Sequence, residues 1–171
     1  MSLPPTIPSL PDGATMALWP LSALAKGMEV GEPLYVSSGK WLHPLFDLLD
    51  AASPGGPAVA GTSSQALASA GDLFLRDRVI GRAAAFLILR AGIRHAWADV
   101  VSDGALSLFA AQGAFLGGTE RLAAIGCMTE DLLRDVDDPD LAWALLLARR
   151  QTALAALQAE SPGVRVPSKL D

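Results

Sequence analysis

Two arginines four positions apart, Arg78 and Arg82, are the residues whose types and spacing best fit a binding site. In a helix this spacing places both side chains on one face, and Gly81 between them lets a ligand approach the backbone closely. Guanidinium groups bind phosphate or carboxylate through charge-assisted hydrogen bonds, so the pattern indicates a site for a small anionic ligand. The predicted ligand-binding residues are Asp77, Arg78, Gly81, Arg82, Ser102 and Asp103.

A purely structural interpretation of the same residues stays open. The two arginines can be solvated or paired with neighbouring aspartates, and Gly81 can serve close packing between a helix and the sheet. Ser102 can simply cap the helix that follows it. The spacing of the residues alone favours this structural interpretation. The binding-site interpretation becomes nearly as strong only when the predicted fold is taken into account.

Cys127 is the only cysteine in the chain. It precedes a predicted helix, whose positive dipole end favours the reactive thiolate, so Cys127 is a candidate nucleophile or redox centre. The alternative is that it is a small buried apolar residue, which is the commoner role of a lone cysteine. A single thiol excludes an internal disulfide and a multi-thiolate zinc site, and it suits a reducing cytoplasm.

Short apolar segments that alternate between strand and helix must position these residues. The patterns predict strands at 72–75, 93–101 and 114–116, and helices at 77–91 and 104–112. Strands joined by single helices indicate crossovers on a mostly parallel sheet. Because such helices begin at the carboxyl edge of the sheet, we expect the candidate residues to meet at that edge.

The flanking segments complete one predicted domain over residues 15–160. A proline-rich flexible arm at 1–14 precedes it, and a frayed tail at 161–171 follows it. The remaining predicted elements are a short helix at 15–26, a strand at 32–37, a helix at 41–52, a loop at 53–64, a short helix at 128–136 and a long helix from 137 or 138 to 157.

The charge balance limits the partners of the chain. Among 171 residues, 13 are basic and 18 are acidic, which gives a net charge of −5. A chain without a basic stripe is not expected to bind nucleic acid generally. The most apolar window, 83–89, is too short to cross a membrane, and no secretory signal precedes it. We therefore expect a soluble, cytoplasmic protein.

Four segments resemble a bacterial and archaeal family known as domain of unknown function 1893. The most specific is Arg76-Asp77-Arg78-Val79-Ile80-Gly81-Arg82-Ala83-Ala84-Ala85, followed by Gly92-Ile93; the others lie at 45–49, 99–105 and 135–139. The resemblance covers about 32–147 and implies a cytidine-deaminase-like, three-layer α/β/α sandwich with a mixed sheet. It implies no activity. One departure is Cys127-Met128, where the family usually has Cys-Pro.

The zinc chemistry associated with that fold needs His or Cys two residues before Glu at one helix start, and Pro-Cys-x-x-Cys at the next. The corresponding starts here contain neither pattern, and His43 and His95 lie in other elements, so no zinc or other cofactor is predicted.

Three functions follow as hypotheses. The first is a metal-free deaminase-like domain that binds a small anionic, nucleotide-like ligand. The second is an enzyme that uses Cys127 as nucleophile or redox centre. The third is an interaction module, for instance a homodimer formed through the C-terminal helices, where Leu141, Trp143 and Leu145 form an apolar stripe.

Overall fold

The computed structural model describes residues 7–24, 30–40, 42–52 and 70–159. In chain order its strands are β1 (Met16–Pro20), β2 (Tyr35–Ser37), β3 (Leu73–Ile80), β4 (His95–Ser102) and β5 (Phe115–Leu122). Its α-helices are α1 (His43–Ala52), α2 (Arg82–Arg90), α3 (Asp103–Ala111), α4 (Met128–Leu132) and α5 (Pro139–Ala159). Short 3₁₀ turns cover Leu21–Leu24 and Ala70–Asp72.

The five strands form one mixed sheet in the order β2-β1-β3-β4-β5. β1 runs antiparallel to both β2 and β3, whereas β3, β4 and β5 are parallel. Helix α2 connects β3 to β4, and α3 connects β4 to β5. The predicted strand–helix alternation and the α/β class with a mixed sheet are confirmed.

Two apolar clusters lie on opposite faces of the sheet. Met16 and Leu18 of β1 join the larger cluster, while Ala17 and Trp19 join the smaller one, as strand alternation requires. The larger cluster contains buried apolar residues from each of α1, α2, α3 and α5. Among the described residues, the smaller cluster is covered by Ile7 and other residues of the chain outside these helices. The expectation that helices cover both faces of the sheet therefore remains a prediction.

The prediction of a helix at 15–26 is wrong, because residues 16–24 form β1 and a 3₁₀ turn, while residues 25 and 26 lie outside the described ranges. Both faces of β1 are buried, and such a strand lacks the polar alternation that distinguishes a strand from a buried helix. Pro20 ends β1, since its nitrogen has no hydrogen to donate to the ladder.

The predicted helix at 77–91 begins five residues late, at Arg82. β3 continues to Ile80, which pairs with Val101 of β4. Arg78 therefore lies in a strand and Arg82 opens a helix, so the expectation that both share one helix face is wrong. The end of this helix is as predicted: Gly92 follows it with a φ of 82°, the left-handed conformation that glycine adopts without strain.

Several other predictions differ only in extent. β5 runs to Leu122, beyond the predicted end at residue 116, and α4 stops at Leu132. The long C-terminal helix begins at Pro139, the first-turn position expected for proline. Trp41, the predicted loop 53–64 and the predicted tail 161–171 lie outside the described residues.

The described part of the predicted arm, residues 7–14, lies against the sheet. Ile7 and Leu10 pack on the smaller cluster, and Ala14 is buried. No helix in the described ranges has the length and continuous apolar character that a bilayer span needs. On α5 the side chains of Leu141 and Leu154 are exposed, and self-association through them stays a prediction.

Candidate functional site

A cavity of about 430 Å³ opens at the carboxyl edge of the parallel strands. Its walls come from the start of β1, the loop before α1, the end of β3, the first turn of α2 and the segment that leads into α4. This edge is where open α/β sheets place their ligands, and the volume falls within the range of small-molecule sites. Most of the surface that lines the cavity is apolar.

Asp77 is one of two carboxylates that line this cavity. One of its oxygens, Oδ1, accepts a hydrogen bond of 3.2 Å from the backbone N–H of Val79. Burial raises the pKa of Asp77 to about 6, although the neighbouring backbone N–H groups and Arg76 act in the opposite direction. The carboxyl of Asp77 therefore titrates closer to neutral pH than an ordinary aspartate.

The Asp77→Asn variant is expected to be more stable than the wild-type protein at pH 7, by about 1 kcal/mol after allowance for partial exposure. The raised pKa means that the folded protein holds this proton more tightly than the unfolded chain. The stabilising contribution is therefore complete below pH 3.8, the ordinary value, and is lost as pH rises through about 6. The side-chain oxygen of an asparagine at this position can still accept the hydrogen bond from the backbone N–H of Val79.

Urea unfolding at pH 4 and pH 7 measures this difference. The gain from Asp77→Asn should appear at pH 7 and disappear at pH 4. The matched control is Asp131→Asn, because Asp131 is exposed and lines no part of the cavity. An equal effect of Asp77→Asn at both pH values would contradict the assignment.

Glu130 is the second carboxylate, and it is only 7% exposed. Its Oε2 accepts a 2.6 Å hydrogen bond from the backbone N–H of Arg82, so Glu130 caps the start of α2 from another element. Gly81, the N-cap residue, has no side chain to do this. A Cβ on Gly81 would lie 2.5 Å from Glu130 Oε2, so only glycine admits this carboxylate.

Arg82 does not line the cavity. Its guanidinium donates to the carbonyl of Val136 at 2.6 Å and to Asp137 at 2.5 Å, and it lies 5.6 Å from the ring centre of Phe86. Its Cδ lies 3.5 Å from the position a Cβ on Gly104 would take, so the guanidinium lies beside the start of α3. Arg82 thus ties the start of α2 to the segment before α5.

Ser102 and Asp103 also lie outside the cavity lining. Ser102 Oγ accepts a hydrogen bond from the N–H of Ala105 at 3.2 Å, which makes Ser102 the N-cap of α3. Asp103 pairs with Arg121. The geometry of these two residues therefore fits the structural interpretation, in which Ser102 caps a helix and Asp103 pairs with an arginine.

Of the seven residues predicted to carry a site, the cavity brings together four, namely Asp77, Arg78, Gly81 and Cys127. Cys127 is half-buried and forms the N-cap position of α4. Sequence reasoning missed Thr15, Lys40, Thr129 and Glu130 as lining residues. The sequence contained one indication for Glu130, because its spacing of three residues from Cys127 suggests that it caps its own helix, α4. In the structure it caps α2 instead.

Most arginines in the described ranges are paired with carboxylates, and the exceptions are informative. Arg78, Arg94 and Arg149 have no acidic partner within ion-pair distance. Arg78 is held by a 2.9 Å bond from its Nε to the carbonyl of Ala14, and no described residue accepts a hydrogen bond from its terminal nitrogens. It lies at the cavity together with exposed Lys40, so this part of the lining carries positive charge.

Comparison with known proteins gives a family match for the part of the chain that contains β3 to the start of α5. Residues 65–148 match the family model TM1506, a domain of unknown function (DUF1893). This match confirms the resemblance predicted from the sequence, over just under half of the chain. It contains Asp77, Arg78, Gly81, Cys127 and Glu130, whereas β1 and the loop before α1 lie outside it.

The chain is also similar to the crystal structure of a DUF1893 family protein (TM1506) from Thermotoga maritima. The two are 20% identical, the match covers 80% of each chain, and the TM-score is 0.57. At this identity the likeness establishes the fold alone. Among curated proteins no match was found.

Proposed function

We propose that this protein binds a small, nucleotide-like ligand with an anionic group in the cavity at the carboxyl edge of β3. The observation that carries the proposal is the cavity itself: its apolar walls suit a flat ring, and its few polar groups differ in sign. Asp77 and Glu130 each offer an oxygen to N–H donors of such a ring. Arg78 and Lys40 offer positive charge to a phosphate.

The finer fold assignment belongs to the same proposal. A sheet with two antiparallel strands before three parallel ones, joined by α2 and α3, supports the cytidine-deaminase-like arrangement. In zinc deaminases the metal ligands lie at the two corresponding helix starts. Here Arg82 stands at one start, and its guanidinium lies beside Gly104 at the other.

The Arg78→Gln variant is expected to bind nucleoside monophosphates at least tenfold more weakly than the wild-type protein, because charge-assisted hydrogen bonds to phosphate are lost. Isothermal titration with the purine and pyrimidine monophosphates measures this effect. Arg94→Gln is the matched control, since Arg94 also has no acidic partner among the described residues but does not line the cavity. Equal affinity in all three proteins, or no binding by the wild-type protein, would contradict the proposal.

A second candidate function is covalent chemistry at Cys127, which the position of its side chain in the cavity lining favours. A thiol beside bound ligand and near the carboxylates of Asp77 and Glu130 has both a target and proton acceptors. Mass spectrometry after incubation with the same ligands tests this candidate. An added mass on Cys127 would support it, and an unmodified chain together with tight binding would favour the binding function alone.

A further inference from the structure

A second, smaller compartment of about 250 Å³ lies beside the cavity. The two share Leu42 and Thr129 in their linings, so one short wall separates them. The floor of the smaller compartment includes Leu146 of α5 and Phe46 of α1, which are both buried. Its polar groups come from Arg149 and Arg150 on α5 and from His43 at the start of α1.

The two adjacent arginines differ in how their charge is used. Arg150 donates to Asp50 at 2.8 Å, lies 3.9 Å from Asp47 and stacks 4.7 Å from the ring centre of Phe46. Arg149 has no carboxylate partner among the described residues. The compartment therefore contains one guanidinium that no described carboxylate pairs with directly.

Arg149 is also held in position. Its Nε donates a 3.2 Å hydrogen bond to Oγ1 of Thr129, which is only 6% exposed and belongs to the wall shared with the cavity. This bond orients the guanidinium, and no other described residue accepts a hydrogen bond from its two terminal nitrogens. A half-buried, oriented guanidinium without an acid is an oxyanion-binding group.

We propose that this compartment is a second phosphate-binding site, formed by Arg149 with His43 at its edge, which receives a phosphate of a ligand seated in the neighbouring cavity or a free phosphate ion. The identity of the ligand rests on the proposed function, but the site does not. Of the three arginines in the described ranges that have no acidic partner there, Arg78 lines the cavity and Arg149 lines this compartment. The pair suits a ligand that carries two separated phosphates.

The test is a titration of the isotope-labelled protein with inorganic phosphate, followed by NMR at the Thr129 amide and the Arg149 Nε–H. Saturable shifts at both positions are expected at tens of millimolar phosphate or below. Arg149→Gln should weaken this binding at least tenfold, since the charge and the paired donors are removed. Arg94→Gln is the matched control and should leave it unchanged.

A second arm distinguishes free phosphate from a phosphate of the ligand. A nucleoside 3′,5′-bisphosphate is expected to bind at least tenfold more tightly than the 5′-monophosphate, and Arg149→Gln should remove that advantage. Absence of shifts at Thr129 and Arg149 with inorganic phosphate, or equal phosphate affinity in Arg149→Gln, would overturn the inference. Phosphate binding at Arg149 without monophosphate binding in the cavity would instead refute the proposed function alone.

Discussion

The Arg82→Ala variant is expected to unfold with a free energy about 3 kcal/mol lower than that of the wild-type protein. The side chain of Arg82 is 10% exposed, so its loss removes packing against Phe86 and leaves the carbonyl of Val136 without its donor. For a chain of this size, the melting temperature should fall by roughly 6–12 °C. Urea and thermal unfolding measure both quantities.

Asp137→Asn is the matched control for this prediction. The side chain of Asp137 is 93% exposed, and an ion pair with one partner in water contributes little, so the control should cost less than about 1 kcal/mol. A large loss in the control would mean that the ion pair, and not the carbonyl contact and packing, carries the stability. An Arg82→Ala variant as stable as the wild-type protein would refute the role assigned to Arg82.

The Gly81→Ala variant is expected to lose about 2 kcal/mol of stability, although its backbone is extended and suits any residue. The added Cβ would lie 2.5 Å from Glu130 Oε2 and 3.1 Å from Cγ1 of Ile125. Glu130 must then move, which breaks its bond to the N–H of Arg82 and leaves a buried donor without a partner. Chemical unfolding measures the loss.

Two further variants isolate the cause of this loss. In a Glu130→Ala background, Gly81→Ala should cost about half as much or less, because the carboxylate that it displaces is already absent. Gly126→Ala should be close to neutral, since a Cβ there meets no atom within 4 Å. Fully additive effects of Gly81→Ala and Glu130→Ala would contradict the proposed contact.

The parts of the fold that depend on local signals could be predicted from the sequence. Gly92 ends α2, Ser102 caps α3 and Pro139 opens α5, each by a property of its own side chain or backbone. The identity of β1 could not be predicted in this way. Its apolar residues face two clusters at once, and only pairing with β2 and β3 distinguishes such a strand from a buried helix.

The candidate site was predicted in part, for a related reason. The expectation that ligands meet the carboxyl edge of the sheet led to the edge at which the cavity opens, beside Asp77 and Gly81. It did not reveal that Lys40 and Glu130 reach the same cavity, because they are distant in sequence and arrive there through tertiary packing. The position of the boundary between β3 and α2 also could not be predicted. It separates Arg78, in the strand, from Arg82, in the helix, so the two do not line the cavity together.

The central claim is that the cavity beside Asp77 binds a nucleotide-like ligand, and an NMR titration with nucleoside monophosphates tests it most directly. We expect saturable shifts of the backbone amides of Gly39, Val79 and Gly81, which line the cavity but not the smaller compartment, and none at Gly113 in the turn after α3. Shifts confined to other surfaces, or no shift with any monophosphate, would contradict it.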